Sequence, residues 1–374
     1  MATRNQKEFL EDKQTLLNAI KRRHHLRPNK TTVIAARLAS YVIDDYRSSR
    51  PYLTGKIEFE EGVEREACFF KFKESEEDIA RKIFDETARI ADNPGILKPY
   101  FVTYNEQKKN WLVCYEKFDS LLSDDPSNVV LTENRGDSIR KLLKTIKHIH
   151  GRRLFHGALK ERCAYVLISG RIKIILVSRL RTWVDLKKKG RNGYYEDPIV
   201  VESTKKKDLK DFRDMLKDAV LQFGVIWEDK DSFFQFFDKS ADYWYGYEGF
   251  IDHLIDHPSL KNSEERNKYL FKIEQSIRSN SLREAGVFMD KLKSEEFTSK
   301  YSKWDDSDKL SQAPELERVY NVEGVDYKGD NVRHLIRFLS NAYVHYRSRN
   351  KEEEFDLDVR KLYPDFFNRM HIYL

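Results

Sequence analysis

The sequence predicts an α+β chain with a small β-rich lobe that holds one helix, a larger and mainly helical lobe, and an all-helical C-terminal domain. Three observations lead there. From Pro51 to residue 119 the pattern is one of short strand-like runs, with a helical segment between the second and third. Beyond Ser120 helical periodicity dominates, broken by two short strands around a Ser169-Gly170 turn. Near the C-terminus, Val332, Leu335, Ile336, Leu339 and Tyr343 recur at helical spacing. The boundaries read as 1–50 for an N-terminal helical extension, 51–119 for the β-rich lobe, 120–258 for the helical lobe and 259–374 for the last domain.

The 374 residues are 40% hydrophobic and 13% aromatic, enough for two domains or a bilobal fold with an appendage, and too apolar for a disordered chain. Lys plus Arg exceed Asp plus Glu by 68 to 62, a net charge of +6 that permits nucleic-acid binding without demanding it. Cys68, Cys114 and Cys163 are far apart, with neither CxxC nor metal-ligand spacing, which argues for a reducing compartment and no metal site. The polar start, MATRNQKEFLEDK, has no signal-peptide character, and no apolar run approaches the ~18 residues of a membrane span. The expected location is the cytoplasm or the nucleus.

Residues 7 to 47 read as helical, with Phe9, Leu16, Leu17 and Ile20 at helical spacing and a second apolar stretch from Val33 to Tyr46. Lys21-Arg22-Arg23-His24-His25 between them reads as a solvated helix end, because no aromatics interleave the cations as in a nucleic-acid stacking platform. The β-rich lobe follows: Lys56 to Phe59, Ala67 to Lys73, a helix from Glu76 to Ala91, then Tyr100 to Tyr104 and Trp111 to Tyr115. Tyr165 to Ile168 and Ile172 to Leu176 form the later strand pair.

This order of elements is the one expected of a protein kinase, and His156-Gly157-Ala158-Leu159-Lys160 resembles the kinase catalytic loop His-Arg-Asp-Leu-Lys-x-x-Asn. The carboxylate that would accept the substrate proton is replaced by Ala158, and the Asn that would hold magnesium by Cys163. The Asp-Phe-Gly position falls on Val177-Ser178-Arg179, so a second metal ligand is aliphatic. Phosphoryl transfer is positioning plus charge neutralisation by metal, so the resemblance implies a pseudokinase. No Gly-x-Gly-x-x-Gly run lies between Gly55 and Lys73. Lys71 or Lys73, with Glu86 on the following helix, would mark a vestigial nucleotide site; ATP or ADP binding is poorly supported, and no cofactor is required.

Past His257-Pro258, Asn262-Ser263-Glu264-Glu265 reads as a capped helix start, with Leu270, Ile273 and Ile277 on one face. Then comes the segment from Tyr327 to Tyr346. At about 100° per residue, the apolar stripe falls on one side while His334, Arg337, Asn341 and His345 fall on the other. Metal-independent RNA cleavage needs a proton taken from the 2′-hydroxyl, a held anionic phosphorus centre and a proton given to the leaving 5′-oxygen. Imidazole exchanges protons near neutral pH, and amide or guanidinium donors hold phosphate oxygens. DNA, lacking the 2′-hydroxyl, would not react this way. Asn-x-x-x-His alone is a weak motif, equally at home on a solvated helix face.

The wider pattern is His257-Pro258 with Asn262-Ser263-Glu264, Lys303-Trp304-Asp305, Tyr327-Lys328, Val332-Arg333 with Leu335-Ile336-Arg337, Asn341 with His345, and Phe355-Asp356 followed by Pro364. In this order, behind a kinase-like lobe, it resembles the kinase-extension nuclease (KEN) domain of the inositol-requiring stress-sensor enzymes and RNase L. The resemblance implies a metal-independent endoribonuclease leaving 2′,3′-cyclic phosphate and 5′-hydroxyl ends. It makes His345 the principal general acid or base, Tyr327 a partner in proton transfer or phosphate binding, and Asn341 a phosphate or ribose contact. The family's arginine before that Asn is Ser340 here, and the loop between His345 and Phe355 is shorter. Arg337, one turn before Asn341, is the candidate to replace the lost charge. Implied partners are RNA and a second kinase-like chain, as a homodimer or a heterodimer with a related kinase/endoribonuclease. The alternative is an inert pseudokinase and pseudonuclease that regulates an active relative or acts as a signalling scaffold.

Overall fold

The computed structural model describes residues 38–44, 50–59, 62–124, 135–176, 198–222, 227, 229–240, 246–278, 293, 295–322 and 326–373. Val177 and Lys21 to His25 lie outside them. By packing, the chain divides into two compact units, 1–134 with 141–225 and 135–140 with 226–374.

The first unit is built on a five-stranded antiparallel sheet ordered β1-β2-β3-β5-β4. Its strands are β1 (Leu38–Ile43), β2 (Tyr52–Phe59), β3 (Glu64–Lys73), β4 (Pro99–Asn105) and β5 (Asn110–Glu116). Helix α1 (Glu77–Ile90) links β3 to β4. Strand alternation sorts the side chains. Tyr41, Leu53, Ile57, Ala67, Phe69, Phe101, Leu112 and Cys114 form the core of one face. Tyr52, Cys68, Phe70, Val102, Trp111, Val113 and Tyr115 line the other, packed with Ala80 and Phe84 of α1.

The sheet is strongly curled. Its edge strands β1 and β4 are separated by three others, about 19 Å if the sheet were flat, yet the Tyr41 and Phe101 rings stand 5.9 Å apart. Curling lets one apolar face close on itself without a covering helix.

One expectation fails here: residues 38–43 form an edge strand, not part of a helix. The spacing of Leu38 and Tyr41 imitates a helical turn, but long-range pairing decides the outcome. Tyr41 sits opposite Ile57 and Ile43 opposite Gly55, and the β-branched Val42 and Ile43 suit a pleated surface.

After β6 (Ser120–Leu121) comes α2 (Arg135–Gly151), which buries Ile139, Leu142, Leu143, Ile146 and Ile149 along one stripe. Strands β7 (Tyr165–Ile168) and β8 (Arg171–Ile174) form a hairpin with β6 on its edge. Ser169 and Gly170 both take positive φ, +48° and +70°, the two-residue turn that matches hairpin twist and that Gly tolerates without strain. Helix α3 (Pro198–Gln222) ends the described part of this unit. A curled sheet with one helix, then a helix, a loop and a hairpin, is a kinase-like order of elements.

Among the described residues from 230 onward, the elements of the second unit are helices: α4 (Lys230–Ser240), α5 (Gly246–Ile255), α6 (Ser263–Arg278), α7 (Glu295–Tyr301), α8 (Ser307–Leu310), α9 (Pro314–Tyr320), α10 (Val332–Arg347), α11 (Glu352–Leu362) and α12 (Phe366–Tyr373). The capped start expected at Asn262 is present: Glu265 N–H donates to Asn262 Oδ1 and Asn262 N–H donates to Glu265 Oε2, at 2.9 and 3.1 Å. Asp356 on α11 is fully buried and accepts from Arg266 Nε at 2.7 Å and from Ser263 Oγ at 3.2 Å, tying α6 to α11. Among the described residues no helix is long and apolar enough to cross a membrane.

Candidate functional site

In the first unit, the loop expected to resemble a catalytic loop is held by a buried carboxylate that the sequence reading passed over. Asp208 on α3, 1% exposed, accepts from the backbone N–H of His156 and of Gly157, each at 2.7 Å, and from His150 Nε2 at 3.0 Å. His156 Nε2 donates to the Ile175 carbonyl at 2.8 Å, and Tyr165 Oη donates to that of Leu159 at 2.6 Å. Burial alone would push the Asp208 carboxyl up; the His150 hydrogen bond, the nearby imidazoles and the Gly157 N–H outweigh it and hold it below the usual carboxylate range. Burial pushes His156 down against the pull of Asp208, so its ring stays neutral. These bonds fix the loop from His156 to Lys160, and Ala158, 3% exposed, brings no carboxylate to it. The clue was on the chain, since Asp208 lies on the apolar stripe of Phe212, Met215, Leu216 and Ala219, where an acid is buried only if partnered.

The proposed nucleotide set is not brought together. Lys71 and Lys73 are exposed, two and four residues past Phe69, so they continue the face opposite the one α1 covers. Glu86 pairs instead with Arg89 at 2.8 Å. Around Cys163, partly buried, the sheet's inner face is filled by Tyr52, Phe70, Tyr115 and Phe118 together with Val166 and Ile175. The Tyr52 and Phe118 rings are 4.5 Å apart, and Phe70 stacks on Phe118 at 6.2 Å.

The second unit carries the other candidate site on α10. Asn331 caps the helix, its side chain accepting from Arg333 N–H at 2.9 Å. The expected stripe of Val332, Leu335, Ile336, Leu339 and Tyr343 is buried, and Phe338, Ala342 and Tyr346 widen it. On the other side, Arg337 and His345 are exposed and Asn341 is half-buried.

Tyr327 is brought to this face. Its ring is enclosed by Phe338, Tyr320 and Trp304 at 5.3, 5.8 and 6.0 Å, and its Oη accepts a 2.9 Å hydrogen bond from Asn341 Nδ2. Trp304, fully buried, donates from Nε1 to the carbonyls of Lys328 and Asn331, both at 3.2 Å, and so pins the loop that carries Tyr327 to the cap of α10. A Cβ on Gly329 would meet Asp305 Oδ1 at 1.6 Å, so a larger residue there would require the Asp305 carboxylate to move. Asp305 in turn accepts from Tyr320 Oη at 3.1 Å; burial and this carboxylate both raise the Tyr320 phenol above its ordinary value.

Tyr327 and Asn341 are thus joined, with His345 one turn further along the same helix. Arg337 is exposed on the preceding turn. Ser340 does not belong to this face: it is 2% exposed and its Oγ has no hydrogen-bond partner among the described residues. The arrangement offers a phenol, an amide and an accessible imidazole, groups that donate hydrogen bonds to an anion and exchange protons. Among the described residues no three His, Cys, Asp or Glu side chains converge on a metal site.

No protein-family model matches this chain, and no curated protein matches it. Among solved structures, the pseudokinase of Neurospora crassa PAN3 aligns with 82% of this chain and 76% of its own, at 14% identity and a TM-score of 0.42. At that distance the likeness carries no argument about what this chain does.

Proposed function

We propose that this chain is a metal-independent endoribonuclease of the kinase-extension nuclease type, whose kinase-like unit transfers no phosphate and serves as a dimerisation scaffold. The observation that carries the reading is the Tyr327–Asn341 hydrogen bond, one helical turn from an exposed His345. His345 would exchange the proton of the attacking 2′-hydroxyl or the leaving 5′-oxygen. The Asn341 amide and the Tyr327 hydroxyl, held by the Trp304 cage, would bind phosphate or ribose oxygens. The products would carry 2′,3′-cyclic phosphate and 5′-hydroxyl ends. RNA is the substrate in this reading, and a second copy or a related kinase/endoribonuclease is the partner. Nucleotide has no part in it.

A second reading is favoured by two observations. Ser340 is buried where the resembled family has an arginine, and α10 passes to α11 through the short turn Ser348 to Lys351. Both remove cationic or enclosing surface near the phosphate, as an inert scaffold that binds an active relative would tolerate.

One experiment separates them. A stem-loop RNA is incubated with purified protein in EDTA, wild type beside His345→Ala and Arg337→Ala. Cleavage to cyclic phosphate ends by wild type, lost in His345→Ala by at least a hundredfold, is the expected result. Intact RNA at high wild-type concentration would give the scaffold reading the better claim. Unchanged cleavage by Arg337→Ala would mean that this arginine does not replace the missing charge.

A further inference from the structure

His334 sits on the same helix, at the third position of α10, and the sequence reading gave it no role. Its Nδ1 accepts a 2.9 Å hydrogen bond from the backbone N–H of Lys328. A ring nitrogen that accepts cannot carry the proton, so the neutral ring bears its hydrogen on Nε2. The residue is half-buried, and its Nε2 has no protein partner among the described residues. His334 thus keeps an Nε2–H donor with no bond to the described residues.

Its surroundings suit an anion. Lys328, Arg333 and Arg337 are exposed close to it in sequence, against the exposed Asp326 and Asp330. His334 and Arg337 are three residues apart on one helix and so are neighbours on its surface. Asn341 lies seven residues on, about 10 Å along the axis, too far for both residues to hold one phosphate.

We propose that His334 is a substrate-binding residue whose Nε2–H donates to a non-bridging oxygen of an RNA phosphate flanking the one cleaved, beside Arg337. This rests on the ribonuclease reading of the Tyr327–Asn341–His345 site. His334 takes no part in proton transfer, because the Lys328 N–H occupies the nitrogen a base would use. Its effect falls on affinity and not on turnover.

The test uses the full chain and a short single-stranded RNA, 2′-O-methylated at every ribose so that it binds without being cut. His334→Asn keeps an acceptor for the Lys328 N–H and loses the outward donor; His334→Gln keeps a donor near the Nε2 position. In fluorescence anisotropy, His334→Asn is expected to bind roughly fivefold more weakly with its melting temperature unchanged, and His334→Gln to recover most of the loss. Equal affinity of His334→Asn and wild type would overturn the proposal and leave the ribonuclease reading standing. No binding by wild type would remove both. Should the variants fold poorly, the imidazole ¹⁵N signals of the wild type decide: an unprotonated Nε2 at neutral pH means the donor does not exist.

Discussion

A single buried carboxylate explains how the loop from His156 to Lys160 keeps its shape. Asp208 receives two backbone N–H donors and a histidine in a site closed to water. Replacing it with Asn puts an amide, itself a donor, against those groups. Asp208→Asn should lower unfolding free energy by about 1 to 3 kcal/mol, the range for leaving buried hydrogen-bond donors without their acceptor, as read by urea denaturation. A loss under about 1 kcal/mol would mean that the loop is held elsewhere. The sign with pH follows from the lowered folded value: Asp208 contributes fully above the ordinary 3.8, and its contribution goes as pH falls through the folded value. The sequence held only an indirect sign of this, an acid on the apolar stripe of α3, and the loop itself was read from its own residues. The partner that sets its geometry lies 52 residues from His156, and only tertiary packing reveals such a contact. That positions 158 and 163 hold Ala and Cys, by contrast, is a fact of the chain itself.

At the scale of elements, periodicity carried the reading as far as local pattern reaches. Strands β2 to β5 and α1 emerged within a few residues of their observed bounds, since both strand faces and one helix face are apolar at the right period. The edge strand β1 did not, because only its pairing with β2 distinguishes it from a short helix. The same period-2 rule undoes the nucleotide site: Lys71 and Lys73 follow Ala67 and Phe69 on one face, while α1 packs on the face of Cys68 and Phe70. With Tyr52, Phe70, Tyr115 and Phe118 in mutual contact on that inner face, opening room for a purine would separate packed aromatic pairs worth about 0.5 to 1.5 kcal/mol each beyond their buried area. ATP or ADP, with or without magnesium, is therefore expected to leave the melting temperature of the full chain unmoved. A reproducible magnesium-dependent rise of a few degrees would show that the aromatic cluster gives way. On α10, helical spacing separated the buried stripe from the polar face correctly. The Trp304 cage that delivers Tyr327 to Asn341 was not visible there, because it joins residues on three separate segments.

Taken whole, the molecule keeps neutral histidines inside both of its units, and this gives it a pH response. His156 is buried in the first. In the second, the His371 ring stands 5.1 Å from His257 and 5.3 Å from His253, with Phe236 against all three. Asp252, Asp256, Lys261 and Tyr269 act on this group. Burial pushes all three imidazoles down, His257 well down and His371 to about 4. Their hydrogen bonds fit neutral rings: His371 Nε2 donates to the His253 carbonyl at 2.9 Å, and His257 Nδ1 accepts from Ser259 N–H at 3.2 Å. The unfolded chain protonates near 6.5 while the folded one resists, so the unfolded state binds more protons below that value and stability falls as the solution is acidified. The contribution is complete above pH 6.5 and is lost on the way down towards each folded value. For His371 alone the loss between pH 6.5 and 5 is about 2 kcal/mol. Thermal midpoints measured from pH 8 to 5 should stay level above about 7 and drop steeply below 6. His371→Gln retains a donor for the His253 carbonyl but does not titrate, so its curve should be shallower than the wild type's. Equal slopes for the two proteins would show that the acid response arises from groups other than this cluster.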